Sequence, residues 1–279
     1  MRVTTRWMAL LLPWMLACSS EATSDEQPVT GDEDELIGGS PESRYLAVGY
    51  LTTDRPGETD RALCGATLIA PNVVVTAAHC AARYETSSLS FGVGQIQDRR
   101  RVRVSEQHVH PKAHLEAQGS LDAIHALRLY DVAYLVLERA VDGVVPASID
   151  TQKPAARCNV RLVAYGPSGQ SSAPIRKGVD GCVVLNAKLG SDTIVEVRPT
   201  GGGAVCQRDG DEGHAVLRVD GTTPVLEGLY VGSVTQSFTD CKKYLQLLNG
   251  YEATYGYRSF YEEGIQRGAD LLAGKPTAD

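Results

Sequence analysis

Residues Leu63 to Cys80 read L-C-G-A-T-L-I-A-P-N-V-V-V-T-A-A-H-C. Within this stretch the apolar runs Ala66–Ile69 and Val73–Thr76 are separated by Pro71 and Asn72, which favour a turn, so the pattern indicates two antiparallel strands. Short runs of the same kind, rich in Val, Ile, Leu and Tyr, recur along the chain between Gly, Pro, Asn and Asp residues. The chain is therefore predicted to be all-β, with many short antiparallel strands.

The same stretch resembles the first-barrel signature of the trypsin-like (chymotrypsin-family, S1) serine proteases, in which T-A-A-H-C presents the catalytic histidine, here His79. The segment Leu129–Leu137 is similar to the family's strand whose aspartate orients that histidine, here Asp131. Leu36–Gly39 resembles the start of the family's mature chain, and Cys158–Gly166 resembles the segment that opens the second barrel. The resemblance thus covers nearly the whole mature chain.

The resemblance implies an all-β fold of two antiparallel Greek-key barrels, each of six strands, with a C-terminal helix. The size agrees with this, because 279 residues with 43% hydrophobic and 22% charged residues can bury the core of one large or two small domains. The expected organisation is a signal peptide (1–17), an acidic disordered tether (18–35) and a trypsin-like domain (36–279) made of a first barrel (36–150), a second barrel (151–258) and a C-terminal helix with tail (259–279).

The segment that would carry the nucleophile departs from the family pattern. Cys206–His214 reads C-Q-R-D-G-D-E-G-H, whereas the family motif is C-x-G-D-S-G-G-P. Aligning the two Gly-Asp pairs puts Glu212 at the serine, with two extra residues after Cys206, and aligning from the cysteine without a gap puts Gly210 there. Neither register supplies a hydroxyl or thiol, and a carboxylate is a poor nucleophile toward amides. The chain is therefore expected to keep the base His79 and the aspartate that orients it, Asp131, but to have no nucleophile for His79 to activate.

The substrate cleft implied by the resemblance is also altered. Where the family has a Ser-Trp-Gly run that pairs with the substrate backbone, this chain has Val231, Gly232 and Ser233. The residue expected at the floor of the primary specificity pocket is Ala204, which carries no charge that selects Lys or Arg. The backbone at 231–233 is still expected to be able to pair with an extended peptide.

Activation by cleavage is not expected. In the family, a cut before the segment that corresponds to Leu36–Gly39 frees an α-ammonium, which pairs with the aspartate preceding the serine, here Asp211. The residue before the cut is Glu35, whereas trypsin-like activators need Lys or Arg at that place. We therefore expect the tether to stay attached to the domain.

The N-terminus has the features of an export signal. Arg2 and Arg6 precede an apolar run, Trp7–Leu16. This run is too short to span a bilayer and is typical of a signal peptide. The sequence M-L-A-C ending at Cys18 partly matches the bacterial lipoprotein signal and predicts lipidation of that cysteine. We expect a bacterial envelope lipoprotein on the outer membrane or cell surface; the alternative is ordinary cleavage and release as a secreted or periplasmic protein.

The cysteine count fits an oxidising compartment. Seven cysteines minus Cys18 leave six, an even number suited to three disulfides. The resemblance implies the bridges Cys64–Cys80 and Cys206–Cys241. Cys158 and Cys182 are then left to pair with each other.

No cofactor and no metal site are expected. The sequence has no nucleotide-binding loop and no C-x-x-C, and four histidines (His108, His110, His114, His125) have no carboxylate or cysteine at ligand spacing. The net charge of −7 disfavours nucleic acid as a partner. We predict a monomer that binds a protein or peptide and contacts a membrane only through a lipid anchor at Cys18.

The sequence as a whole predicts a pseudoprotease, an exported serine protease homologue with a binding or regulatory role on the bacterial envelope. Two alternatives stay open. One is an active serine-type endopeptidase whose nucleophile lies at a non-standard position. The other is a structural envelope module without a peptide groove.

Overall fold

The structure is a computed structural model of the 279-residue chain. It describes residues 39–58, 61–98, 100–113, 115, 130–165, 176–185, 194–200, 212–219, 223–234 and 248–276. The predicted signal peptide, the lipidation site Cys18 and the acidic tether lie outside these residues. No described helix is both long enough and apolar enough to cross a membrane.

Six strands close a barrel in the first part of the described chain, after a short strand β1 (Ser40–Pro41). These strands are β2 (Val48–Thr53), β3 (Cys64–Ala70), β4 (Val73–Thr76), β5 (Leu89–Gly92), β6 (Arg101–Val109) and β7 (Ala133–Leu137). Their order around the barrel is β2-β3-β4-β7-β6-β5, and every pairing is antiparallel. Residues Leu63 to Cys80 supply β3 and β4.

The remaining strands form a second sheet. They are β8 (Ser148–Ile149), β9 (Arg157–Ala164), β10 (Lys177–Val184), β11 (Ile194–Pro199), β12 (Ala215–Arg218), β13 (Val225–Val234) and β14 (Leu248–Ala253). Because β9 pairs with both β10 and β12, the strands β9-β10-β11-β14-β13-β12 close into a ring. β1 pairs with β10, and β8 runs parallel to β13. With the C-terminal helix, this confirms the predicted trypsin-like architecture.

The described residues contain two α-helices, α1 (Ala78–Ala82) and the C-terminal α2 (Arg258–Leu272). Helix α2 approaches the first barrel through glycines four residues apart, which share one helix face. A Cβ at Gly268 would overlap a Val73 methyl group, and one at Gly264 would lie 2.7 Å from the Tyr134 ring. Asn72 fixes this contact, since its Nδ2 donates to the Gly268 carbonyl at 3.0 Å. Helix α2 therefore packs against Val73 of β4 and Tyr134 of β7.

Disulfide bonding is confirmed as well. The structure joins Cys64 to Cys80, linking β3 to α1, and Cys158 to Cys182, linking β9 to β10. The predicted bridge between Cys206 and Cys241 lies outside the described residues.

Candidate functional site

The first component of the site is a histidine held by a buried carboxylate. His79 lies in α1, directly after β4, and Asp131 lies two residues before β7. The Asp131 Oδ1 atom accepts the backbone N–H of His79 at 2.8 Å, and Oδ2 lies 2.6 Å from His79 Nδ1. Because a carboxylate only accepts, Nδ1 carries a hydrogen and Nε2 is left as the basic atom of a neutral ring.

The burial of this pair suits a proton acceptor. The Asp131 side chain is 0% exposed, whereas that of His79 is 17% exposed, so the carboxylate is shielded from water and part of the histidine side chain is accessible to solvent. The arrangement fixes the tautomer and orientation of an imidazole that can take a proton from a neighbouring hydroxyl. The family resemblance of the segments that carry His79 and Asp131 predicted this pairing.

A disulfide lies against the same ring. His79 Nε2 is 3.5 Å from Cys80 Sγ. The ligand-type atoms of Cys64, His79 and Cys80 all lie within 4.8 Å of one another, an arrangement that would suit a metal if the thiols were free. The two sulfur atoms are bonded to each other, so they offer no thiolate to a metal.

A tight turn packs beside this disulfide. The Gly65 N–H donates to the Glu212 carbonyl at 2.8 Å, and Cys80 Sγ lies 3.9 Å from the same oxygen. Gly213 has φ +78°, in the left-handed region that favours glycine, and a Cβ there would lie 2.5 Å from Thr76 Oγ1. The turn thus brings the backbone of Glu212 to the disulfide that His79 also contacts.

His214 anchors the other end of this turn, which sequence reasoning did not anticipate. It is 1% exposed, and its Nε2 accepts the backbone N–H of Tyr165 at 2.7 Å. Its ring occupies the space above Gly65, where an added Cβ would overlap it. Two features of the sequence could have indicated this contact. His214 stands where the family motif has a glycine, and Gly65 has no side chain that would fill the space of the ring.

Replacing His214 with leucine is expected to lower the free energy of unfolding by about 1–3 kcal/mol, because the buried N–H of Tyr165 loses its acceptor. His214→Gln supplies a carbonyl oxygen and should lose less. Urea unfolding measures both variants. If both unfold at the wild-type midpoint, the bond does not hold the turn.

The candidate cleft strand is β13. Val231 is buried, with 1% exposure, and its aliphatic side chain offers no hydrogen bond. One edge of the segment pairs with β14, through Gly232 opposite Gly250 and Ser233 opposite Asn249. On the other edge, the described pairing ends at Tyr230, which exchanges two backbone hydrogen bonds with Gly213 and His214, at 2.8 and 2.9 Å.

Several predicted site residues lie outside the described residues, namely Ala204, Gly210 and Asp211. The specificity pocket, the ungapped nucleophile register and the partner of a new N-terminus therefore stay predictions. The described components that the structure brings together are His79, Asp131 and the backbone of Glu212.

Comparisons with known proteins concern the family and the fold. The family model described as Trypsin matches residues 37–243, well over half of the chain. One similar solved structure is that of neuropsin, a serine protease expressed in the limbic system of mouse brain. It matches at a TM-score of 0.59 and 16% identity, covering 84% of this chain and 99% of that one. At that identity the likeness shows the fold alone. Together with the two closed barrels, the family match shows that this chain belongs to the trypsin family.

Proposed function

We propose that this member of the trypsin family is catalytically silent and works by binding a protein or peptide. The observation that carries the proposal is the turn beside His79. Its residue next to the Cys64–Cys80 disulfide is Glu212, whose carbonyl accepts the Gly65 N–H. This contact supports the register in which a glutamate stands where the family has its serine.

The chemistry of acyl transfer explains why that replacement matters. The mechanism needs an oxygen or sulfur nucleophile whose proton passes to the histidine. Among the described residues, the side-chain partners of His79 are Asp131 and the disulfide sulfur of Cys80, neither of which is such a nucleophile. A glutamate carboxylate beside an imidazole favours an ion pair over attack on an amide.

A binding role is supported by the strand beyond Tyr230. Gly232 and Ser233 pair with β14 on one edge, Val231 lies at an irregularity of that pairing, and no described strand pairs with the other edge of this segment. Backbone groups on such an edge can accept an extended peptide as an additional strand. A protein whose cleft strand can pair with a peptide backbone but that has no nucleophile would bind the peptide without cleaving it.

The proposed location rests on the sequence. A signal peptide over residues 1–17 followed by Cys18, an acidic tether, two disulfides and a third predicted one fit a lipid-anchored protein of the bacterial envelope. Because Glu35 precedes Leu36, we propose that the tether remains uncut and the anchor is kept. N-terminal sequencing of the cell-derived protein tests this, and Leu36 as its first residue would contradict it.

An amidase assay tests the proposal. The wild-type protein and His79→Ala are expected to hydrolyse chromogenic peptide amides at the same background rate. Removing the histidine from a working triad lowers kcat by about 10⁶-fold, so even slight genuine activity would separate the two proteins. A rate that depends on His79 would refute catalytic silence.

The second candidate function is a working serine endopeptidase. The specific observation that favours it is the intact pair of His79 and Asp131, with 2.6 Å between Nδ1 and Oδ2. This candidate needs a serine from elsewhere in the chain to reach Nε2. The same assay decides between them, since only the working enzyme loses activity in His79→Ala.

A further inference from the structure

A separate cavity of about 140 Å³ lies in the first barrel, between the connection that enters β6 and the segment that follows β7. Three valines form its apolar part and three arginines with one aspartate form its polar part. The lining residues are Val93, Arg100, Arg101, Val102, Arg139, Val141 and Asp142. None of them belongs to the candidate cleft.

The arginines of this cavity are held in place by backbone carbonyls. Arg100 donates from Nη2 to the Asp142 carbonyl at 3.0 Å, and Arg101 donates from Nη2 to the Ile96 carbonyl at 3.4 Å. Arg139 donates to the Ala140 and Arg101 carbonyls at 3.4 and 3.5 Å. Each guanidinium has five N–H donors, so these bonds orient Arg100 and Arg139 while leaving donors available.

The charge of the cavity is positive. Its one carboxylate, that of Asp142, lies 3.7 Å from Arg139 and is 91% exposed, so it neutralises the guanidinium groups of Arg100 and Arg139 only in part. The neighbouring Arg103 is already paired with Asp54, at 3.8 Å. A local excess of positive charge on a protein of net charge −7 marks this cavity as distinct from the surrounding surface.

We propose that this cavity binds a single oxyanion group, such as a glutamate side chain of an acidic peptide or a free sulfate. Guanidinium groups bind oxyanions through paired, charge-assisted hydrogen bonds. The negative charge of the whole protein repels long polyanions, which favours a short acidic group.

The two sources of the oxyanion are distinguished by two probes. The full-length protein is titrated with tetraglutamate and, separately, with sodium sulfate, both at constant ionic strength, and the arginine Nε–Hε NMR signals are followed. Saturable shifts with the peptide alone identify a polypeptide as the source. Equal shifts with sulfate identify a free anion. Tetraglutamine serves as the neutral control peptide.

Variants test the site itself. Arg100→Gln and Arg139→Gln should raise the Kd by about tenfold or more, as expected for the loss of a charge-assisted hydrogen bond. Asp142→Asn should lower the Kd, because it removes the competing carboxylate. The matched control is Arg258→Gln on α2, whose side chain is 59% exposed, against 60% for Arg139.

The arginine variants and Asp142→Asn are expected to change the Kd in opposite directions, so the proposal can be tested even if one variant is unstable. Weaker binding in the arginine variants, tighter binding in Asp142→Asn and no change in Arg258→Gln would support a built site. Absent binding of both probes, or equal effects of Arg139→Gln and Arg258→Gln, would overturn it. The proposed function does not depend on this result, because the two sites share no residue.

Discussion

The free energy of unfolding of the Arg161→Met variant is expected to be about 3 kcal/mol lower than that of the wild type, because the substitution removes the buried partner of the Glu42 carboxylate. Arg161 Nε lies 2.6 Å from Glu42 Oε2, and the two side chains are 10% and 2% exposed. Gly178 leaves room for the guanidinium, since an added Cβ would lie 2.7 Å from Arg161 Nε. The pair fastens the segment after β1 to the second barrel.

A matched control removes the outer partner of the same carboxylate. Arg44 lies 3.1 Å from Glu42 Oε2, but its side chain is 64% exposed. Arg44→Met should therefore lower the free energy of unfolding far less than Arg161→Met does, as is typical of exposed ion pairs. Urea denaturation at pH 7 measures both variants, and equal losses would mean that burial does not distinguish the two arginines.

The same carboxylate predicts acid sensitivity. Burial raises the pKa of Glu42, but hydrogen bonds from Arg44 and Arg161 outweigh it and lower that pKa from 4.5 to about 2. A depressed folded-state pKa contributes stability that is present above the unfolded value and is lost as pH falls toward the folded one. About 3 kcal/mol should disappear between pH 5 and 2, and Glu42→Gln should flatten that part of the profile.

Restoring a hydroxyl at the proposed nucleophile position is expected to restore little activity. In the Gly-Asp register, two extra residues follow Cys206, so we expect the backbone N–H groups of that loop to be displaced from the position of an oxyanion. Losing one such donor costs about 3–4 kcal/mol of transition-state stabilisation. Glu212→Ser should therefore raise kcat/KM on peptide amides by less than about tenfold over the wild type.

Two further variants serve as comparisons for Glu212→Ser. Glu212→Ala removes the carboxylate without adding a hydroxyl, and Gly210→Ser tests the ungapped register in the same assay. A large gain in Glu212→Ser that disappears when His79→Ala is added would show that the oxyanion donors are already in position. Gain in Gly210→Ser alone would favour the ungapped register.

The fold was predictable from the sequence because its signals are local. The turn at Pro71-Asn72 and the apolar runs on both sides specify β3 and β4, and the segment ending in His79 follows directly. The contact between His79 and Asp131, 52 residues apart, was predictable only through the family resemblance. Spacing alone does not bring an aspartate to a histidine.

The contacts that the sequence did not reveal join distant residues of ordinary appearance. Glu42 and Arg161 are 119 residues apart and look like surface charges, because burial depends on the barrel that forms between them. His214 and Tyr165 are 49 residues apart, and a histidine in a glycine-rich turn does not indicate its acceptor role. Such pairs depend on tertiary packing, which local pattern does not encode.

The central claim is that His79 has no nucleophile to activate, and covalent labelling tests it most directly. The purified protein is incubated with a fluorophosphonate, which reacts with an activated serine, and its intact mass is then measured beside that of His79→Ala. We predict an unchanged mass for both proteins. An adduct on the wild type that is absent from His79→Ala would contradict the account.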